Sequence, residues 1–90
     1  MKRDLVIAAD HPAYAGHFPG NSLLPGVVLL AEAMAAIGAA QHTIENAKFL
    51  SPVTPGMPLT LRDEATGSGS LRVEIESPQG LVATATLSPP

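Results

Sequence analysis

The chain has 90 residues, no cysteine, five Lys and Arg against eight Asp and Glu, and a formal net charge of −3. The absence of thiols excludes disulfides, zinc-thiolate sites and a cysteine nucleophile, and five scattered cations exclude the clustered positive charge that a nucleic-acid surface needs. Hydrophobic residues make up 46% and charged residues 14%, and a domain of this size buries only about 60 to 68% of its unfolded surface, so the composition favours an oligomer.

Met1-Lys2-Arg3 before Leu5-Val6-Ile7-Ala8-Ala9 has the order of a secretory leader. The apolar run ends at Asp10, short of the about 7 to 15 apolar residues of such a leader, and the expectation is a soluble, cytoplasmic protein. Residues 5–9 read as a short buried strand, and residues 11–26, rich in Pro and Gly, as an ordered loop.

A helix is predicted from 27 to about 45, with apolar or small side chains on nearly every face until Gln41, His42 and Glu45. A helix of that kind is buried, so the rest of the chain must wrap it. Ala35, Ala36, Gly38, Ala39 and Ala40 keep one section thin for close packing, at about 1 kcal/mol for a mid-helix glycine. The segment falls short of the about 20 residues that span a bilayer, so no membrane span is expected.

Further on, Leu59 and Leu61 oppose Thr60 and Arg62, and Leu71, Val73 and Ile75 oppose Arg72, Glu74 and Glu76. Leu81, Ala83, Ala85 and Leu87 oppose Val82, Thr84 and Thr86 in a last strand. Turns fall at Gly67-Ser68-Gly69-Ser70 and Ser77-Pro78-Gln79-Gly80. The pattern is a single α+β domain over 1–90, an antiparallel sheet with one helix; periodicity alone admits more than one sandwich of that class.

The most informative tract is Gly16-His17-Phe18-Pro19-Gly20-Asn21-Ser22-Leu23-Leu24-Pro25-Gly26-Val27-Val28-Leu29-Leu30. It runs from a histidine through a rigid turn into an apolar helix, whose start near Gly26 offers unpaired amides and the positive end of the dipole. Such an end polarises a carbonyl.

Together with Asp10-His11-Pro12-Ala13-Tyr14-Ala15 before it and Ala47-Lys48-Phe49-Leu50-Ser51-Pro52-Val53-Thr54-Pro55-Gly56 after it, this tract resembles the hotdog-fold 3-hydroxyacyl-(acyl carrier protein) dehydratases, particularly short members of aryl polyene and related lipid pathways. The resemblance implies an antiparallel sheet curled around a central helix, usually paired with a second copy. It implies His17 as the base that removes the α-proton of an acyl thioester, a task suited to a neutral imidazole, and the Gly26 amide as a donor to the enolate oxygen. The substrate implied is an acyl carrier protein or CoA thioester, with no metal or organic cofactor.

The same resemblance implies an acid on the helix at the position held here by Ala31. Glu32 is adjacent, but successive helical residues point about 100° apart, and a carboxylate near a helix start is also favoured by the dipole alone. Three readings follow. His17 works with water or a displaced Glu32; or a different hotdog chain supplies the carboxylate across a heterodimer in place of a homodimer; or the chain is a non-catalytic acyl-carrier binding or stabilising subunit. A hotdog acyl thioesterase is the alternative from another reaction class.

An acyl tunnel is expected beside the helix, lined in part by Val27, Leu30, Met34 and Phe49; apolar residues at helical spacing more commonly fill the core, and that alternative stays open for these four. Lys48, Arg62 and Arg72 are the cations expected near its entrance to meet an acidic carrier. His11 is assigned local hydrogen bonding, with no third ligand beside it and His17 for a metal. His42 belongs to the end of the helix, Tyr14 and Phe18 to packing, and Ser22 lies outside any Gly-x-Ser-x-Gly elbow.

Overall fold

The computed structural model describes residues 1–14 and 23–90. Within them, β1 (Lys2–Leu5) leads to a single 3-10 turn (Pro12–Tyr14) and α1 (Gly26–Ala36), followed by β2 (Thr43–Phe49), β3 (Leu59–Gly67), β4 (Ser70–Ser77) and β5 (Gly80–Ser88). The strands form one sheet in the order β1-β3-β4-β5-β2, antiparallel at every pairing.

Alternate side chains of a strand reach opposite faces. Leu59 and Leu61 of β3, Val73 and Ile75 of β4, and Ala83, Ala85 and Leu87 of β5 therefore line one face, and all are buried. Leu29, Leu30, Ala33 and Met34 form one stripe of α1 and join the same core. Each large aliphatic side chain buried this way contributes about 1.5 to 3 kcal/mol, and this contact holds the helix on the sheet. The opposite face of β3 and β4 carries charge, with Arg62 donating to Glu76 at 2.9 Å and Arg72 lying 3.7 Å from Glu74.

Helix α1 is shorter than its composition predicts. It stops at Ala36 because Gly38 takes a left-handed conformation at φ 72°. The Ala39 amide then donates to Met34 O at 2.8 Å and the Gly38 amide to Ala35 O at 3.2 Å, the paired bonds of a Schellman stop. Gly38 is thus a terminator, and His42 lies beyond the helix, with its amide donating to Ala39 O at 3.0 Å. Residues from Thr43 onward pair with β5, so sheet hydrogen bonding overrides their helix propensity.

Three further expectations change. The first strand is Lys2–Leu5, set by its pairing with β3, whereas residues 6–10 lie outside it. The helix is covered on one side only: Val27 is 74% exposed, and Ala31 and Ala35 are also exposed. In β5 a bulge puts Ala83 opposite Ile75 and Leu81 opposite Glu76, so Val82 is the extra residue. Val82 is buried and Leu81 half-exposed, the reverse of strict alternation.

Arg3 ties the two ends of this architecture together. Its Nη1 donates to Ala36 O at the end of α1 at 2.8 Å, and its Nη2 lies 3.8 Å from Asp63 Oδ1 on β3. A cation at a helix C-terminus complements the dipole and satisfies one of its orphan carbonyls. Among the described residues no helix is long and apolar enough to cross a membrane.

Candidate active site

The site is built on the start of α1. Pro25 (φ −58°) precedes the first helical residue, and its carbonyl accepts from Val28 N at 3.0 Å and Leu29 N at 3.1 Å. Among the described residues no side chain caps this end. Among the described residues the Gly26 and Val27 amides therefore have no backbone or side-chain acceptor, and they stand at the positive end of the helix. The approach is fixed by Leu24 N, which donates to Val53 O at 2.9 Å.

Phe49, the last residue of β2, lies over Gly26, and a Cβ at Gly26 would meet its ring at 2.6 Å. A larger residue at 26 fits only if the ring moves. Gly26 and Phe49, with Leu24, Leu29, Leu50 and Val53, line a groove of about 240 Å³. Unspent amides beside an apolar wall suit a carbonyl oxygen that gains negative charge while its hydrocarbon substituent stays dry. A larger cavity of about 520 Å³ lies between β1, β3 and the end of β4 and shares no residue with this groove.

His17 lies outside the described residues, as do Phe18 and Ser22. Tyr14 closes the 3-10 turn that leads toward them. Its ring is buried, burial pushes its hydroxyl pKa above the ordinary 10.0, and the hydroxyl has no hydrogen-bond partner among the described residues.

Of the remaining predicted site residues, Phe49 joins Gly26 in the groove, whereas Leu30 and Met34 sit in the core and Val27 faces outward. Ala31 is on the exposed side of α1. Glu32 is on a flank, and its Oε1 lies 2.8 Å from His11 Nε2. His11 Nδ1 accepts the Ala13 amide at 3.0 Å, which leaves Nε2 as the protonated nitrogen that donates to Glu32. The local bond to Ala13 was expected; the bond to Glu32, 21 residues away, follows no spacing rule. Arg62 and Arg72 are engaged with acids of β4 and are absent from the groove lining, and Lys48 is exposed on β2.

One antiparallel sheet with a single helix across its apolar face defines a hotdog protein. The same fold is found in the ApeI:P dehydratase heterocomplex from Xenorhabdus doucetiae, with a TM-score of 0.81 at 24% identity over 97% of this chain and 83% of that one. A mutant of the fluoroacetyl-CoA-specific thioesterase FlK matches with a TM-score of 0.71 at 14% identity, over 97% of this chain and 84% of that one. Residues 1–85 match the ApeI dehydratase family, and the chain belongs to this ApeI-like family. The 3-hydroxyacyl-[acyl-carrier-protein] dehydratase FabZ of Thermus thermophilus is 32% identical over 100 aligned positions, covering 89% of this chain and 70% of the relative. The FabZ of Wolbachia sp. subsp. Drosophila simulans is 39% identical over 69 residues. The chain spans about half the length of such curated relatives, 48% in the Wolbachia case and 51% for the FabZ of Geobacter metallireducens.

Proposed function

We propose that this chain takes part in removing water from a 3-hydroxyacyl thioester, at a site completed by a second hotdog chain. The supporting observation is the start of α1, where the Gly26 amide has no acceptor among the described residues and borders an apolar groove under Phe49. The thioester oxygen accepts from that amide while the His17 imidazole removes the α-proton. The C–H electrons pass into the enolate and then form the α,β double bond as the C–O bond to the β-hydroxyl breaks. A carboxylic acid protonates the departing hydroxyl, and water leaves.

Ala31 cannot supply that acid, so the reading assigns it to the partner. Partnering has support in the surface: β2 ends the sheet order and carries Ile44 and Phe49 at 41% and 50% exposure, Leu50 just past its end is 54% exposed, and Val27 of α1 is also exposed. An exposed strand edge beside large apolar side chains suits association. The name of the heterocomplex neighbour and the FabZ names of the relatives agree with a hotdog partner and a carrier-bound substrate. We take the reaction to be cytoplasmic. The alanine at the acid position also favours a second reading, a subunit that supports an active partner without turning over substrate itself.

The test uses 3-hydroxyacyl and saturated acyl thioesters with the chain alone, with Ala31→Asp and with His17→Ala. The expected outcome is enoyl product that rises with Ala31→Asp and vanishes with His17→Ala. Free thiol from the saturated thioester overturns the reading in favour of hydrolysis, and no product from Ala31→Asp favours the supporting role.

A further inference from the structure

We infer that the free edge of β1, with the cavity beside it, is a docking surface for an extended segment of a partner protein that carries a lysine or arginine two positions from an apolar residue. Among the described residues β1 stands at one end of the sheet order and pairs only with β3. Met1 exchanges backbone hydrogen bonds with Asp63, whose amide donates to Met1 O at 2.8 Å. Bonded and non-bonded residues alternate along an antiparallel pair. Arg3 therefore bonds toward β3, and the N–H and C=O groups of Lys2 and Asp4 point away from the sheet, where a further strand would meet them.

The cavity of about 520 Å³ lies along this edge and is larger than the groove under Phe49. Its apolar wall includes Val6, which follows β1 and is 85% exposed, together with Met57, Pro58 and Pro78. The charged residues of its lining are both acids, Asp4 and Glu76. Pairing puts them in one cross-strand row, with Thr60 opposite each of them. Glu76 accepts from Arg62 Nε at 2.9 Å, whereas Asp4 forms no ion pair among the described residues. The cavity therefore joins unpaired strand backbone, an exposed apolar side chain and an uncompensated carboxylate.

Charge complementarity selects the occupant. A strand added beside β1 sets its side chains about 5 Å from those opposite them, where unlike charges attract and like charges repel. The residue opposite Asp4 is thus a cation, and the next residue on the same face, two positions along, covers Val6. An acidic segment is repelled by Asp4 and Glu76 together. Backbone bonds at Lys2 and Asp4 supply the hold and the cavity selects the side chains, the division of labour in strand addition. The surface shares no residue with the groove under Phe49 or with β2, so it can be occupied while the site at Gly26 and the hotdog partner are engaged.

The test is a titration of the full chain, followed by NMR, with a short acetylated and amidated threonine peptide that carries one lysine and, two positions on, one valine. The expected result is shifts at residues 2–7, 56–60 and 76–78, with slowed hydrogen exchange at the Lys2 and Asp4 amides. Glutamate in place of the lysine, or N-methylation of the lysine and valine amides, is expected to weaken binding about tenfold. Asp4→Asn, a change at an exposed position, is expected to weaken it about threefold to fivefold; the peptide series on the unaltered chain decides the matter even if that variant does not fold. The inference is overturned if the lysine peptide does not bind, if the glutamate or N-methylated peptide binds as well, or if the shifts fall on β2 or at Gly26. Protection of the Lys2 and Asp4 amides that grows with protein concentration in the absence of peptide would identify a second copy as the occupant and overturn it as well.

Discussion

The Phe49 ring lies so close over Gly26 that any Cβ there would come within 2.6 Å of it. This joins the end of β2 to the start of α1 and explains the glycine by close approach, since Gly26 has no need of a left-handed conformation. Gly26→Ala must displace the ring, at the about 1 to 3 kcal/mol that overpacking costs. Thermal melting is expected to show that loss, and Gly26→Ala with Phe49→Ala to recover most of it, because the ring is half-exposed and its own removal leaves no closed void. A double variant as unstable as Gly26→Ala alone would show that the ring is not the obstacle.

Gly38 meets a different demand. Nothing lies within 4 Å of a Cβ built there, yet its φ is +72°. Gly38→Ala therefore tests conformation alone, and a left-handed alanine costs about 1 to 2 kcal/mol. A melt lowered by that amount with an unchanged fold is the expected result; an unaffected melt would mean the helix can end without the Schellman stop.

The contrast between these glycines shows how much the sequence reveals. Strict alternation at Leu59, Leu61, Val73 and Ile75 made β3 and β4 legible because one face is buried and the other is charged. The motif around Gly26 marked the helix start for the same reason, an abrupt change from Pro and Gly to apolar residues. The helix end was not legible, since Ala39, Ala40 and Gln41 favour helix and only the left-handed Gly38 and the pairing of β2 with β5 decide otherwise. β2 itself shows no alternation, being exposed along most of its length. The His11–Glu32 bond depends on tertiary placement that spacing does not encode.

Arg3 illustrates the same gap with a measurable consequence. Its guanidinium bonds Ala36 O and faces Asp63, so Arg3→Ala removes a charged donor from the end of α1. At its one-third exposure the loss is expected to be about 1 kcal/mol, read as a lower denaturant midpoint with an unchanged slope. Arg3→Lys restores the charge without the fork and is expected to recover part of it. An unchanged midpoint in Arg3→Ala would remove the cap from the list of stabilising contacts.

Tyr14 gives a prediction in pH. Burial raises its pKa above 10.0, so the folded chain holds the phenolic proton more tightly than the unfolded chain does. The associated stability is complete below the unfolded value and is lost as pH rises through the folded one. Stability should therefore fall above about pH 10 in the wild-type chain, and the fall should be smaller in Tyr14→Phe. At neutral pH the substitution removes a buried hydroxyl that has no partner among the described residues, and such a group costs about 1 to 3 kcal/mol when left unsatisfied. Tyr14→Phe is thus expected to be as stable as the wild type or more so in chemical denaturation at pH 7. A clear loss there would show that the hydroxyl is bonded in the folded protein, and an unchanged alkaline transition would show that another group governs it.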